Sequence, residues 1–184
     1  MAGRSSSSVA FGGLAALALV GGGVAGGIAY ANHESTHKTF SGGGVIAVRV
    51  ATDVIPFNTS VGTAWANLPG SALRYTIPAG KHRLIRASFT AESFVLGEGV
   101  PTCGVRVTAN KVGSATLVEF HPRAGGEFAF DSKEDGLGWE ANAIERAQVL
   151  GAGTWTFRVQ ANTPLGGTCY LDDWYFDIEV HPVS

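Results

Sequence analysis

His33-Glu34-Ser35-Thr36-His37 matches H-E-x-x-H, in which two imidazoles on one helical face hold zinc and the glutamate acts as base. That chemistry needs a helix under the motif and a third ligand held by the fold. Here the five residues run into Lys38 and then Ser41-Gly42-Gly43-Gly44, with no amphipathic repeat around them. Such a tail can pick up a metal adventitiously but cannot enclose one in a dry site, so protease chemistry is not expected. A second segment, Asp131-Ser132-Lys133-Glu134-Asp135-Gly136, resembles the start of a calcium loop. Asp131 and Asp135 are its candidate calcium ligands, and Gly136 would make the sharp turn. Against this, Lys133 stands where an oxygen ligand belongs and Asn142 fills the twelfth place, so a solvated acidic loop is the competing reading.

The aromatic residues offer a different chemistry. Trp65 and Trp139 lie in loop-like stretches, and an aromatic ring at the rim of a sandwich can stack on a sugar or plug the end of the core. In Leu171-Asp172-Asp173-Trp174-Tyr175, strand alternation places Asp172 with Trp174 and Asp173 with Tyr175. With Trp174 in the core, Asp172 would point inward and need Arg146 or Arg158 as a partner, because a lone buried carboxylate is costly. Asp173 and Tyr175 would then face outward, as candidate contacts for a sugar or a protein. No catalytic residue is expected. There is no G-x-S-x-G, and no glycine loop joins a strand to a helix as phosphate binding requires. Among fifteen acids, some pair will flank a cleft by chance, so glycosidase chemistry leaves no distinctive trace. No cofactor is implied.

The elements that must position these residues are strands. In His82 to Ser93, Ile85, Ala87, Phe89 and Ala91 alternate with Arg86, Ser88, Thr90 and Glu92, which predicts one buried and one wet face. Cys103, Val105, Val107 and Ala109 repeat the pattern. Val45 to Ala51, Leu73 to Ile77, Thr116 to His121, Phe128 to Asp131 and Trp174 to Val180 are further strands. Pro78-Ala79-Gly80-Lys81 reads as a turn, and Gly151-Ala152-Gly153 as the loop of a hairpin joining Glu145–Leu150 to Thr154–Ala161. Trp139 to Leu150 reads as loop then strand, with a short helix as its rival. Eight or nine strands with Gly- and Pro-rich turns predict an all-β, antiparallel, jelly-roll-like β-sandwich.

Residues 1–31 read as a signal peptide, with Arg4 ahead of an uncharged Val9–Ile28 and Ala29-Tyr30-Ala31 as the cleavage pattern. The stretch is also long enough for a retained anchor, in which case the protein would meet a membrane. Residues 32–44 read as a polar, glycine-rich tether and 45–184 as the sandwich domain. A secreted or cell-surface location follows. It suits Cys103 and Cys169, for which a disulfide is expected, with two buried thiols as the alternative. With 45% hydrophobic and 15% charged residues, the chain has enough apolar surface to bury and is not disordered. A formal charge of −2 with scattered Lys and Arg excludes the phosphate-neutralising patch that nucleic-acid binding needs.

Ile55-Pro56-Phe57-Asn58-Thr59, then Leu73 to Ile77 with Pro78-Ala79-Gly80 and the alternating strand through Phe89, resembles the opening of the tumour-necrosis-factor-like jelly rolls, the globular heads of complement-type proteins. The last strand, Trp174 to Val180, sits where that family has its closing strand but lacks its aromatic-Gly ending. Phe128-Ala129-Phe130-Asp131-Ser132 and Leu171-Asp172-Asp173-Trp174 also resemble uncharacterised exported proteins of high-GC Gram-positive bacteria. The first resemblance implies a ten-stranded sandwich, assembled as a homotrimer, that binds and does not catalyse. The expected function is an exported non-catalytic binding or surface-structural module, its partner a carbohydrate or a surface protein. A small secreted hydrolase acting on polysaccharide is the alternative.

Overall fold

The computed structural model describes residues 38–40, 44–124, 129–133 and 138–183, and every regular element among them is a strand. The strands are β1 (Lys38–Phe40), β2 (Ala47–Asp53), β3 (Phe57–Thr59), β4 (Ala66–Asn67), β5 (Leu73–Leu96), β6 (Thr102–Lys111), β7 (Leu117–Glu119), β8 (Asp131–Ser132), β9 (Glu140–Asn162) and β10 (Thr168–Pro182). They pair in the order β1-β2-β10-β5-β9-β6-β7, with β3 also against β10, β4 against β9 and β8 against β6. All of these pairings are antiparallel. The chain folds as a jelly-roll-like β-sandwich. The proposed leader, His33–His37 and Asp135 lie outside the described residues. Within the segment expected to be a tether, β1 pairs with β2 from Lys38↔Val50 to Phe40↔Val48.

Two long strands serve both layers. At 24 and 23 residues, β5 and β9 are several times the usual strand length of roughly 5–6. Residues 82–93 of β5 pair with 140–151 of β9, while the other side of β5 takes β10. Residues 73–77 of β5 pair with 153–157 of β9, which takes β6 on its far side. Between the two runs, Pro78-Ala79-Gly80-Lys81 loops out opposite the single residue Ala152. Gly80 and Gly153, with φ of 70° and 137°, adopt the left-handed backbone that turns the corner.

This corrects two expectations. Glu145–Leu150 and Thr154–Ala161 are one continuous strand and not the arms of a hairpin, and Pro78–Lys81 is an excursion within β5 and not a reversal. The two strands bend together, so glycines between alternating runs mark a corner here. The helix considered for residues 140–146 is also strand, as the start of β9.

The core draws on both halves of each long strand. Ile77, Ile85 and Phe89 of β5, Ile144 and Phe157 of β9, Val107 of β6, and Trp174 and Phe176 of β10 form one buried cluster. Phe120 meets Phe157 edge-on at 6.1 Å, and Phe89 lies 6.4 Å from Trp174. Cys103 of β6 is bonded to Cys169 of β10, with Cα atoms 5.2 Å apart and neither residue exposed. That bond ties one layer to the other across 66 residues of sequence.

The alternation of β10 is broken once. Leu171 and Trp174 are both buried although three residues apart, because Asp172-Asp173-Trp174 contains a bulge where β10 slips one residue against β5. Asp173 takes φ 42°, the one positive φ among described non-glycine residues, and its N–H donates to Asp172 Oδ1 at 2.9 Å. The extra residue keeps Asp172 out of the core, so the expected inward carboxylate with an arginine partner does not arise.

Candidate functional site

The outer face of the β10–β5–β9 layer carries a row of aromatic side chains. Alternation turns Phe94 outward because Ser93 and Val95 are buried, and it turns Tyr170 outward between the buried Cys169 and Leu171. Register places Tyr170 directly opposite Phe94. Their rings lie 5.8 Å apart, and Trp139, at the entry to β9, closes on the other side of Phe94 at 5.7 Å. The interplanar angles of 38° and 44° give a shallow, tilted row. Phe94 and Tyr170 are half-buried, and Trp139 is 49% exposed.

Next along the face come Asp172 opposite Glu92, then Tyr175 opposite Thr90. On the β9 side these rows end in Ala141 and Ala143, both exposed and too small to cover the strand beside them. Asp173 is exposed in the bulge between the two tyrosines. Burial, with Asp177 and Glu179 nearby, raises the pKa of the Tyr175 phenol.

At the Trp139 end the face drops into a small cleft, with enclosed room of about 10 Å³, lined by Phe94, Val95, Asp131, Ser132, Lys133, Gly138 and Glu140. The ladder between β5 and β9 stops at Ser93↔Glu140, so the β5 edge beyond it is open to the cleft. Asp131 enters from β8, whose backbone pairs with Cys103, while Phe130 packs against Phe89 at 5.7 Å. Asp131 is 8% exposed, and its Oδ2 has no hydrogen-bond partner among the described residues. Lys133 Nζ donates to Gly97 O at 2.9 Å. No group of three or more His, Cys, Asp or Glu among the described residues is placed to hold a metal.

Trp65 is not part of this assembly. It packs on the outer face of the other layer, with the Arg106 guanidinium 4.2 Å from its ring centroid. Arg106 Nε donates to Gln160 Oε1 at 2.8 Å and Nη1 to Glu119 Oε2 at 3.1 Å. Burial lowers the Arg106 pKa, and Glu119 opposes the shift. Of the residues singled out from sequence, Trp139, Asp173 and Tyr175 share one face with Asp131 at its end, and Trp65 stands apart.

Phe94 and Tyr170 were missed. Phe94 continues the wet series Arg86, Ser88, Thr90, Glu92, and an aromatic residue in a polar series was the available signal.

Farther along β10 the same face turns charged. Arg86 contacts Glu145 and lies 3.6 Å from Glu179, which also meets His181 at 3.1 Å. The hydrogen bond to Glu145 raises the Arg86 pKa. Asp177 is buried beside this group, and desolvation followed by repulsion from Glu179 pushes its carboxyl up to about 6.

No protein-family model matches the chain, and no curated protein matches it. Among solved structures, the chain is similar to the CBM22-1 xylan-binding domain of Xyn10C from Paenibacillus barcinonensis, with 10% identity over 83% of each chain and a TM-score of 0.37. It is also similar to a chain of infectious bursal disease virus, Gx strain, with 9% identity over 73% of this chain and 33% of that one, and a TM-score of 0.41.

Proposed function

We propose that the protein is an exported, non-catalytic binding module that holds a glycan against the row Trp139–Phe94–Tyr170. The observation that carries this reading is the convergence of three partly exposed rings, from β5, β10 and the residue leading into β9, on the outside of a sandwich whose core is already filled. Rings left open to water at this density match the C–H faces of pyranoses, which combine an apolar face with polar edges. Asp172 and Glu92, in the row beside the rings, offer acceptors to equatorial hydroxyls, and Ala141 and Ala143 leave room for the chain to lie down. A disulfide between layers suits work outside the cytoplasm. Cleavage after Ala31 would release the module, and intact mass of the exported protein tests for Asn32 as its first residue.

Affinity electrophoresis in gels cast with neutral polysaccharides tests the reading. Trp139→Ala and Phe94→Ala should each abolish most retardation, at a cost of about 1–3 kcal/mol per ring, while Trp65→Ala leaves it unchanged. Retention of binding by both ring variants would refute the assignment.

One observation favours hydrolysis as a second reading: Asp131 and Glu140 line the same cleft beside the rings. Release of reducing ends by the wild type, lost in Asp131→Asn with Glu140→Gln, would establish it.

A further inference from the structure

We infer that the cleft at the Trp139 end of the row is a hydroxyl-binding subsite selective for an uncharged sugar, with Asp131 as its principal acceptor; this rests on the glycan-binding reading above. Asp131 is more than nine-tenths buried, yet one of its carboxylate oxygens has no donor among the described residues. A carboxylate oxygen kept in that state is costly unless a donor arrives from outside the fold. The position is rigidly held, because β8 pairs with the disulfide-bonded Cys103 and Phe130 is anchored on Phe89.

The chemistry of the lining identifies the ligand. Asp131 and Glu140 bring two carboxylates and Ser132 a hydroxyl, and they outnumber the single ammonium of Lys133, one of whose donors goes to the Gly97 carbonyl. A ligand here must therefore supply donors. A uronic acid or a sulfated sugar would set its own anion against Asp131 and Glu140, which costs affinity through like-charge repulsion. A cation would meet only two described carboxylates with an ammonium on the same wall, a donor set too poor for calcium. A sugar hydroxyl supplies a donor to the Asp131 carboxylate without adding charge. Phe94 belongs to both cleft and row, so a hydroxyl in the cleft can belong to a sugar stacked on the rings.

The test is isothermal titration of the full chain with galactomannan, mixed-linkage β-glucan, arabinoxylan and polygalacturonate, before and after dialysis against EDTA. Wild type, Asp131→Asn and Trp139→Ala are compared, with thermal unfolding of each as the folding control. We expect wild type to bind at least one neutral polymer and not polygalacturonate, with no change after EDTA. Asp131→Asn should weaken binding by about tenfold or more, the value of a charge-assisted hydrogen bond, at an unfolding midpoint no lower than that of the wild type. Wild-type affinity in Asp131→Asn, with binding lost in Trp139→Ala, overturns the subsite and leaves the glycan reading standing. Polygalacturonate bound as tightly as the neutral polymers, or binding abolished by EDTA, also overturns it. These last two arms need only the wild type and so decide the matter even if Asp131→Asn fails to fold. No binding to any polymer removes both readings.

Discussion

Asp177 shows how one side chain can set the acid–base behaviour of the whole face. Its carboxyl sits among Glu179, Glu145 and Arg86, and burial with the two like charges outweighs the one favourable charge, raising it from 3.8 to about 6. A carboxyl with a folded pKa above its unfolded one binds its proton more tightly in the native state. The native state is thus favoured by this group at acid pH, and that contribution is lost as pH rises through about 4 to 6. Asp177→Asn keeps the shape and removes the charge. Its unfolding midpoint should exceed that of the wild type above about pH 7 and match it near about pH 4, measured by calorimetry at both. A variant less stable than wild type above neutrality would mean that the carboxylate makes a favourable contact outweighing its desolvation.

Gly104 makes a steric claim at the same scale. A Cβ there would press into the carboxamide oxygen of the buried Asn162, with the Trp65 ring 3.5 Å from the same point. Gly104→Ala should cost about 1–3 kcal/mol in urea unfolding, as overpacking of a tight site does. Gly138→Ala, which meets nothing within 4 Å, is the stability control.

At the scale of the element, the bulge in β10 permits an unusual deletion. Between Asp172↔Glu92 and Tyr175↔Thr90, β10 has two residues where β5 has one, so removing Asp173 restores one-to-one pairing. Leu171 and Trp174 would then stand two apart and both still face the core. Deleting Asp173 should leave a folded protein with an unfolding midpoint within about 5 °C of wild type. Deleting Asp177 should abolish folding, because it throws either Phe176 or Ile178 to the wet face. Circular dichroism and thermal melts of the two deletions separate these outcomes, and collapse of the Asp173 deletion would show that the bulge itself is required.

The same strands show where sequence suffices and where it stops. Alternation identified the buried faces of β5, β6 and β10 because period-two burial is written into consecutive residues. It could not distinguish a corner from a hairpin at Gly151-Ala152-Gly153, since both need the same glycines and differ only in where the partner strand goes. Nor could it find Trp139, Phe94 and Tyr170 as a set. They are far apart in sequence, and only the register of β10 on β5 brings them into contact. Asp173 and Tyr175 were legible as outward-facing from local pattern alone, although the bulge reverses the reasoning applied to Asp172.

For the whole molecule, two ties between the layers stand out beside the connecting loops. One is the backbone of β5 and β9 as each bends from one layer into the other, and the second is Cys103–Cys169. The backbone route acts near the corner at residues 78–81 and 152, whereas the disulfide sits where β6 passes β10, close to Asp131 and the aromatic row. Closing a loop with a sequence separation of 66 restricts the unfolded chain by about 4 kcal/mol in the chain-entropy account. For a domain of this size, that corresponds to a drop of about 10 °C or more in the unfolding midpoint on reduction or in Cys103→Ala with Cys169→Ala. Calorimetry with and without reductant measures the drop, and glycan titration below the reduced midpoint measures the site. If the bond acts mainly on the unfolded chain, the midpoint falls while affinity stays within about twofold, because the native cleft is unchanged. If affinity falls with the midpoint still high, the bond is instead holding β8 and Asp131 in place. A shift of under about 2 °C would mean that the bending strands alone already restrain the unfolded ensemble.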